Sequence, residues 1–196
     1  MRKIIFTFCF LAFVIPLAVR AEIGDTELME VTDALVLHSW WDSWRSSLRA
    51  TWKSDDYAVI VPFNTYHVRS TYSKDNIERY NEKPWGLGIE KYYVDEKRNR
   101  HSFYALVFSE SYARAQTNIG YAWEKCFYLD DAGDMRIGIG YNATITSRYR
   151  QNYIPFPGTL PMMSVNYKFL SVQTTWVPYI HHNNGNVFLT MFKVGF

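Results

Sequence analysis

Cysteine is almost missing from this chain, which holds only Cys9 and Cys126 in 196 residues. Without the first 21 residues Cys126 stands alone, so no internal disulfide can form, and it reads as a small hydrophobe in a strand. A charge surplus is missing too, with 21 basic residues against 19 acidic ones. A nucleic-acid backbone calls for a basic surplus, so nucleic acid is not an expected partner. No Gly-x-Ser-x-Gly elbow occurs. Of the five histidines, only His181 and His182 are adjacent, and no carboxylate stands at ligand spacing from them. Neither a metal nor a cofactor is expected. After Ala21 no apolar run approaches the ~20 residues of a membrane-crossing helix. That last absence does not exclude a transmembrane barrel, whose strands show only alternation over ~10 residues. Aromatic residues, by contrast, are plentiful: seven Trp, 15 Tyr and 13 Phe exclude a disordered chain, and the length suits one domain.

Residues 1–21 read as an export signal. Arg2 and Lys3 form a positive start, Ile4–Val19 is apolar, and Val19-Arg20-Ala21 supplies a small residue before a cut. Removing Arg2, Lys3 and Arg20 leaves 18 basic against 19 acidic residues, a mature charge of −1. The remainder, 22–196, reads as one barrel domain.

Alternation then dominates. Ile119, Tyr121, Trp123 and Phe127 share one face of a strand, while Gly120, Ala122, Glu124 and Cys126 share the other. Met135, Ile137, Ile139, Tyr141, Ala143 and Ile145 oppose Arg136, Gly138, Gly140, Asn142 and Thr144. The pattern predicts eight strands, at 57–69, 83–94, 101–111, 115–129, 134–147, 160–169, 170–178 and 186–196. Large aromatics lie opposite the glycines and the last strand ends on Phe196. Both features favour an eight-stranded antiparallel outer-membrane barrel over a lipocalin-like one of opposite polarity. Ahead of it, Leu35, Leu37, Trp40, Trp41, Trp44, Leu48 and Trp52 recur at helical spacing, which predicts an amphipathic interfacial helix over about 33–53. Thr71–Glu82 reads as a long exposed loop.

The inward face carries Gly86, Gly88, Gly120, Ala122, Gly138 and Gly140, which predicts an unfilled lumen of acyl-chain width. Pro62, Pro84, Pro161 and Pro178 each interrupt a ladder, and in pairs they would open lateral slots to lipid. His67 ends strand one and Glu110-Ser111 close strand three, so in an up-and-down barrel they share one rim, which Arg148 also reaches. A base, a carboxylate and a hydroxyl above an apolar cavity suit acyl transfer, with Ser111 either nucleophile or hydrogen-bonding partner. A non-enzymatic barrel for adhesion or surface stability is the alternative, and a solid, charged lumen would favour it.

Arg79-Tyr80-Asn81-Glu82-Lys83-Pro84-Trp85-Gly86, Asn152-Tyr153-Ile154-Pro155 and Asn183-Asn184-Gly185-Asn186-Val187 resemble the PagP family of lipid A palmitoyltransferases, from about Trp41 to Phe196. The resemblance implies a monomeric outer-membrane barrel that moves a palmitoyl chain from the sn-1 position of a phospholipid donor to a hydroxyacyl chain of lipid A, the lipopolysaccharide acceptor. It places the family's essential histidine on His67, its serine on Ser111 and its aspartate on Glu110, one methylene longer. It matches all four prolines, puts a phospholipid-gating position on His182 and a lipopolysaccharide-recognition position on His101, although strand order sets His101 on the opposite rim. It sets the floor of the acyl pocket, a glycine in the family, at Ala122, and hence implies a palmitoyl or slightly shorter chain. In this reading Glu110 steers His67, which deprotonates the acceptor hydroxyl while Ser111 assists.

Overall fold

The structure is a computed structural model that describes residues 26–179 and 185–196. The expected export segment 1–21 and the gating candidate His182 lie outside the described residues. Helix α1 spans Thr26–Lys53, starting earlier than its pattern predicted. Its first part falls in one unit, residues 1–40, and its last part joins the barrel in the second, Trp41–Phe196. Within that second unit, Trp44, Ser47, Leu48 and Thr51 form the covered stripe at helical spacing, while Trp41 and Trp52 are exposed.

Eight strands follow: β1 Asp56–His67, β2 Gly86–Val94, β3 Asn99–Ser109, β4 Ala115–Tyr128, β5 Met135–Arg148, β6 Phe156–Tyr167, β7 Leu170–Val177 and β8 Val187–Gly195. They pair in sequence order, all antiparallel, and β8 returns to β1 to close the barrel. Closure removes the sheet edges. The β1–β2 connection, read from sequence as a plain loop, contains a short helix α2, Lys74–Arg79, whose N-cap Ser73 accepts from the Asn76 N–H.

The polarity is inverted relative to an aqueous barrel. Leu87, Ile119, Ile139 and Ile145 stand on the outer wall more than half exposed, whereas Glu90, Glu124, Asn166 and Lys193 point inward and are buried. Among the described residues no helix is long and apolar enough to cross a membrane, which leaves crossing by strands untouched.

Two local features shape the site. β1 pairs with β2 only from Asp56↔Tyr92 to Ile60↔Gly88, and β6 pairs with β7 only up to Met162↔Thr175. Pro62 follows the first stop and Pro161 borders the second, because neither ring can donate to a ladder. Pro84 lies ahead of β2 rather than in it, and Pro161 stands inside β6 rather than at its start. The second feature is a register shift between β1 and β8 at Pro62/Asn64. Ala58, Ile60 and Pro62 face inward, then the extra residue flips the alternation, so Thr65 and His67 face inward and Tyr66 faces out. Without that bulge the imidazole of His67 would point away from the lumen.

The lumen corrects the expectation drawn from glycine. A Cβ on Gly86 would meet Phe108 Cβ at 2.6 Å, one on Gly120 the Ala143 carbonyl at 2.4 Å, and one on Gly138 the Glu124 carboxylate at 1.8 Å. These glycines permit close approach of neighbouring strands and side chains, and do not bound empty space. The cavity is set instead by Ile60, Leu106, Phe108, Leu189 and Met191, which pack around its apolar middle. Toward the end nearer the termini it closes on a polar tier. Tyr104 donates to Asn142 Oδ1 at 3.5 Å, and Asn142 donates to Thr175 Oγ1 at 3.3 Å. Beyond that, Glu90 forms ion pairs with Lys193, its Nζ 2.5 Å away, and with Arg100, whose Nη2 is 3.3 Å away. Ser164 and Asn166 donate to Glu124 at 2.6 and 3.3 Å. The barrel is therefore hollow and apolar on the side of His67, and solid and charged on the other.

Candidate active site

β1 delivers His67 to the rim, inward-facing and 1% exposed. β3 ends at Ser109, and a tight turn carries Glu110 and Ser111 just past it. That turn is closed by the Glu110 N–H donating to the Arg114 carbonyl and by Ala113 in the left-handed region at φ 58°. His67 Nε2 and Ser111 Oγ are 2.8 Å apart, a normal hydrogen bond between residues 44 apart in the chain. Both line the mouth of the apolar cavity, together with Glu110, Arg148 and Arg150.

The β1–β2 connection fixes this pair from above. The Asn81 N–H donates to the Ser111 carbonyl at 2.7 Å, and Asn81 Nδ2 donates to Ser109 Oγ at 2.9 Å. Trp85 N–H donates to the same hydroxyl at 3.1 Å. The Tyr80 ring stacks on the imidazole at 4.6 Å, and Tyr72 meets it edge-on at 5.2 Å. Tyr72 in turn donates to the Gly185 carbonyl, tying Gly185 to the β1–β2 connection.

The carboxylate facing His67 is Glu82, not Glu110. Glu82 Oε1 lies 3.2 Å from His67 Nδ1 and accepts the His67 backbone N–H at 3.2 Å. Arg69 grips both oxygens at 2.7 Å. That hydrogen-bonded guanidinium holds the Glu82 carboxyl down at about 2, with further help from the His67 N–H. The contribution of this pairing to stability is complete above the ordinary value of 4.5 and fades as pH falls toward 2. Glu110 is placed differently: it is buried, its Oε1 has no hydrogen-bond partner, and burial pushes its carboxyl up against the pull of Arg148 and Arg150. Glu110 thus stands beside Ser111 in sequence without touching His67, which corrects the expectation that it steers the imidazole. Glu82, Arg69, Asn81 and Tyr80 were missed as site residues, although Tyr80, Asn81 and Glu82 lie inside the most distinctive stretch of the sequence.

The other candidates are distributed. Ala122 points inward and lines the cavity, 2% exposed, opposite Asn142 of β5. Arg148 is the last residue of β5 and lines the cavity mouth, its Nε donating to Gln151 at 2.6 Å. His101 is buried on the opposite rim, between Asp95 Oδ2 at 3.1 Å and the Tyr121 hydroxyl at 2.7 Å. Both its ring nitrogens are engaged, and it does not join His67 and Ser111.

Residues 47–193 match the family described as "Antimicrobial peptide resistance and lipid A acylation protein PagP". The chain belongs to the PagP family. It is 43% identical over 148 residues to a protein named lipid A acyltransferase PagP from Laribacter hongkongensis, covering 76% of this chain and 70% of that one. The Yersinia enterocolitica member of the same name is 39% identical over 153 residues, covering 78% and 74%. A more distant PagP from Salmonella typhi is 35% identical over 158 residues, covering 80% and 83%. The three stretches that carried the sequence resemblance to the PagP family, 79–86, 152–155 and 183–187, fall inside the matched region. In this member the first of them is the segment that pins Ser111 and faces His67.

Proposed function

We propose that this chain is an outer-membrane acyltransferase, preceded by an export signal at 1–21, that moves an acyl chain from the sn-1 position of a phospholipid onto a hydroxyacyl chain of lipid A. The observation that carries this reading is the 2.8 Å contact of His67 Nε2 with Ser111 Oγ at the mouth of the cavity with the apolar middle. The donor chain lies in the cavity with its ester beside the pair. His67 Nε2 takes the proton of the acceptor hydroxyl, whose oxygen attacks the ester carbonyl. Ser111 donates a hydrogen bond to the developing oxyanion, and the imidazolium returns the proton to the departing glycerol oxygen. Arg148, at the mouth, supplies positive charge near the lipid phosphates. The open ladders beside Pro62 and Pro84, and beside Pro161 and Pro178, serve as lateral entrances for lipid. The exposed Trp41 and Trp52 hold the helix in the bilayer interface, and the protein acts as a monomer.

The same contact favours a second reading, in which Ser111 itself attacks and holds the chain as an ester. An acyl-serine adduct seen by mass spectrometry of protein quenched during turnover would select it. The test of the function is the mass of lipid A from cells expressing the protein. Wild type adds one long acyl chain; Ser111→Ala lowers that addition by about 10²-fold or more. Unchanged acylation in the variant removes Ser111 from the site.

With Ala122 as the floor of the acyl pocket, palmitoyl or slightly shorter chains are preferred, because its methyl takes volume that a glycine would leave to the chain, and overpacking there costs ~1–3 kcal/mol. Ala122→Gly is expected to raise the proportion of longer chains in the product by roughly 10-fold or more, read by mass spectrometry of the acylated lipid A. An unchanged chain distribution would place the floor elsewhere.

A further inference from the structure

We infer that Glu82, gripped by Arg69, is the positioning residue of His67. The inference rests on His67 being the base of the proposed reaction. The carboxylate facing Nδ1 is acceptor-only when ionised, and the two-pronged Arg69 contact keeps it so. An acceptor at Nδ1 holds the neutral imidazole's proton there and leaves the Nε2 lone pair aimed at Ser111 Oγ. Glu82 also accepts the His67 backbone N–H, so one carboxylate fixes the ring's tautomer and the position of its backbone together. Tyr80 stacks on one face of the ring and Tyr72 meets it edge-on, which adds packing on the imidazole beside the Glu82 contact. Glu110 does not serve this purpose: the ring nitrogens of His67 are taken by Glu82 and Ser111, and the buried Oε1 of Glu110 has no hydrogen-bond partner.

Two variants and two readouts test the assignment on the refolded full barrel in detergent. Glu82→Gln keeps the shape but can turn an amide N–H toward Nδ1, which moves the ring proton to Nε2, where it blocks proton acceptance. Its kcat is expected to fall roughly 10²- to 10⁴-fold with KM within about threefold, as for an orienting carboxylate of a serine–histidine pair. Glu82→Asp keeps the charge and recovers kcat to within about tenfold of wild type. Nitrogen-15 NMR of histidine-labelled protein, with no substrate present, is expected to show a protonated Nδ1 in wild type and a protonated Nε2 in Glu82→Gln. A wild-type kcat in Glu82→Gln, an Asp variant no better than the Gln variant, or an unchanged His67 nitrogen spectrum would each overturn the assignment. Wild-type protein that transfers no acyl chain would remove the functional reading, and the nitrogen spectra would still decide whether Glu82 sets the imidazole.

Discussion

Replacing His67 by alanine lowers acyl transfer at least about 10³-fold while the barrel still folds. In the proposed reaction His67 takes the proton of the acceptor hydroxyl, and a positioned general base is worth roughly 10²–10⁴ in rate. The same substitution deletes the hydrogen bond between the imidazole and Ser111, on which the proposed reaction also relies. Folding is spared because the ring lies at the rim and the neighbouring contacts of Asn81 and Trp85 with β3 and its turn do not involve it. The measurement is initial rate against donor concentration for folded protein, with the heat-dependent shift in gel mobility as the check on the barrel. A loss of less than tenfold would mean that the base is another group.

The second large effect concerns stability. Glu90→Ala is expected to destabilise the barrel by about 3–5 kcal/mol, because it removes the ion-pair partner of the buried Lys193 and leaves Arg100 with only Glu124, its cross-strand neighbour, as counter-charge. Glu90 is 1% exposed and Lys193 5%, so water cannot take over the solvation of either ammonium or guanidinium. The loss reads out as a lower urea midpoint in vesicles, followed by tryptophan fluorescence. Replacing Glu90, Lys193 and Arg100 together by apolar residues of similar volume should recover most of it, since the pairing offsets a desolvation cost that the apolar set never incurs. A Glu90→Ala barrel within 1 kcal/mol of wild type would show that the tier is hydrated. This tier also bears on the rival reading of the sequence, in which a solid, charged lumen marks a purely structural barrel. Only half of the lumen fits that description, and the other half is the cavity under His67 and Ser111.

Much of the architecture was legible because β-strand alternation is a local property. The eight predicted strands match the eight observed ones to within four residues at each end, and Ile119 to Phe127 and Met135 to Ile145 face outward as their pattern required. Inward glycines were misread because a missing side chain signals either space or contact, and only the neighbouring strand tells which. The bulge after Pro62 was invisible for a similar reason. Proline announces a broken ladder, but the extra residue that turns His67 inward is defined by register against β8. Glu110 drew attention by adjacency to Ser111, whereas the carboxylate that touches His67 comes from 15 residues along the chain, through a connection containing a helix that the sequence did not reveal. Contacts across such a connection have no period to read.

In the proposed reaction this barrel carries one acyl chain from the sn-1 position of a phospholipid to lipid A. The direct measurement offers refolded protein two donors, one labelled in the sn-1 chain and one in the sn-2 chain, with lipid A as acceptor. The account predicts label on lipid A from the sn-1 donor only, in step with release of the lysophospholipid. Label from the sn-2 donor, or no labelled lipid A from a demonstrably folded barrel, would contradict it.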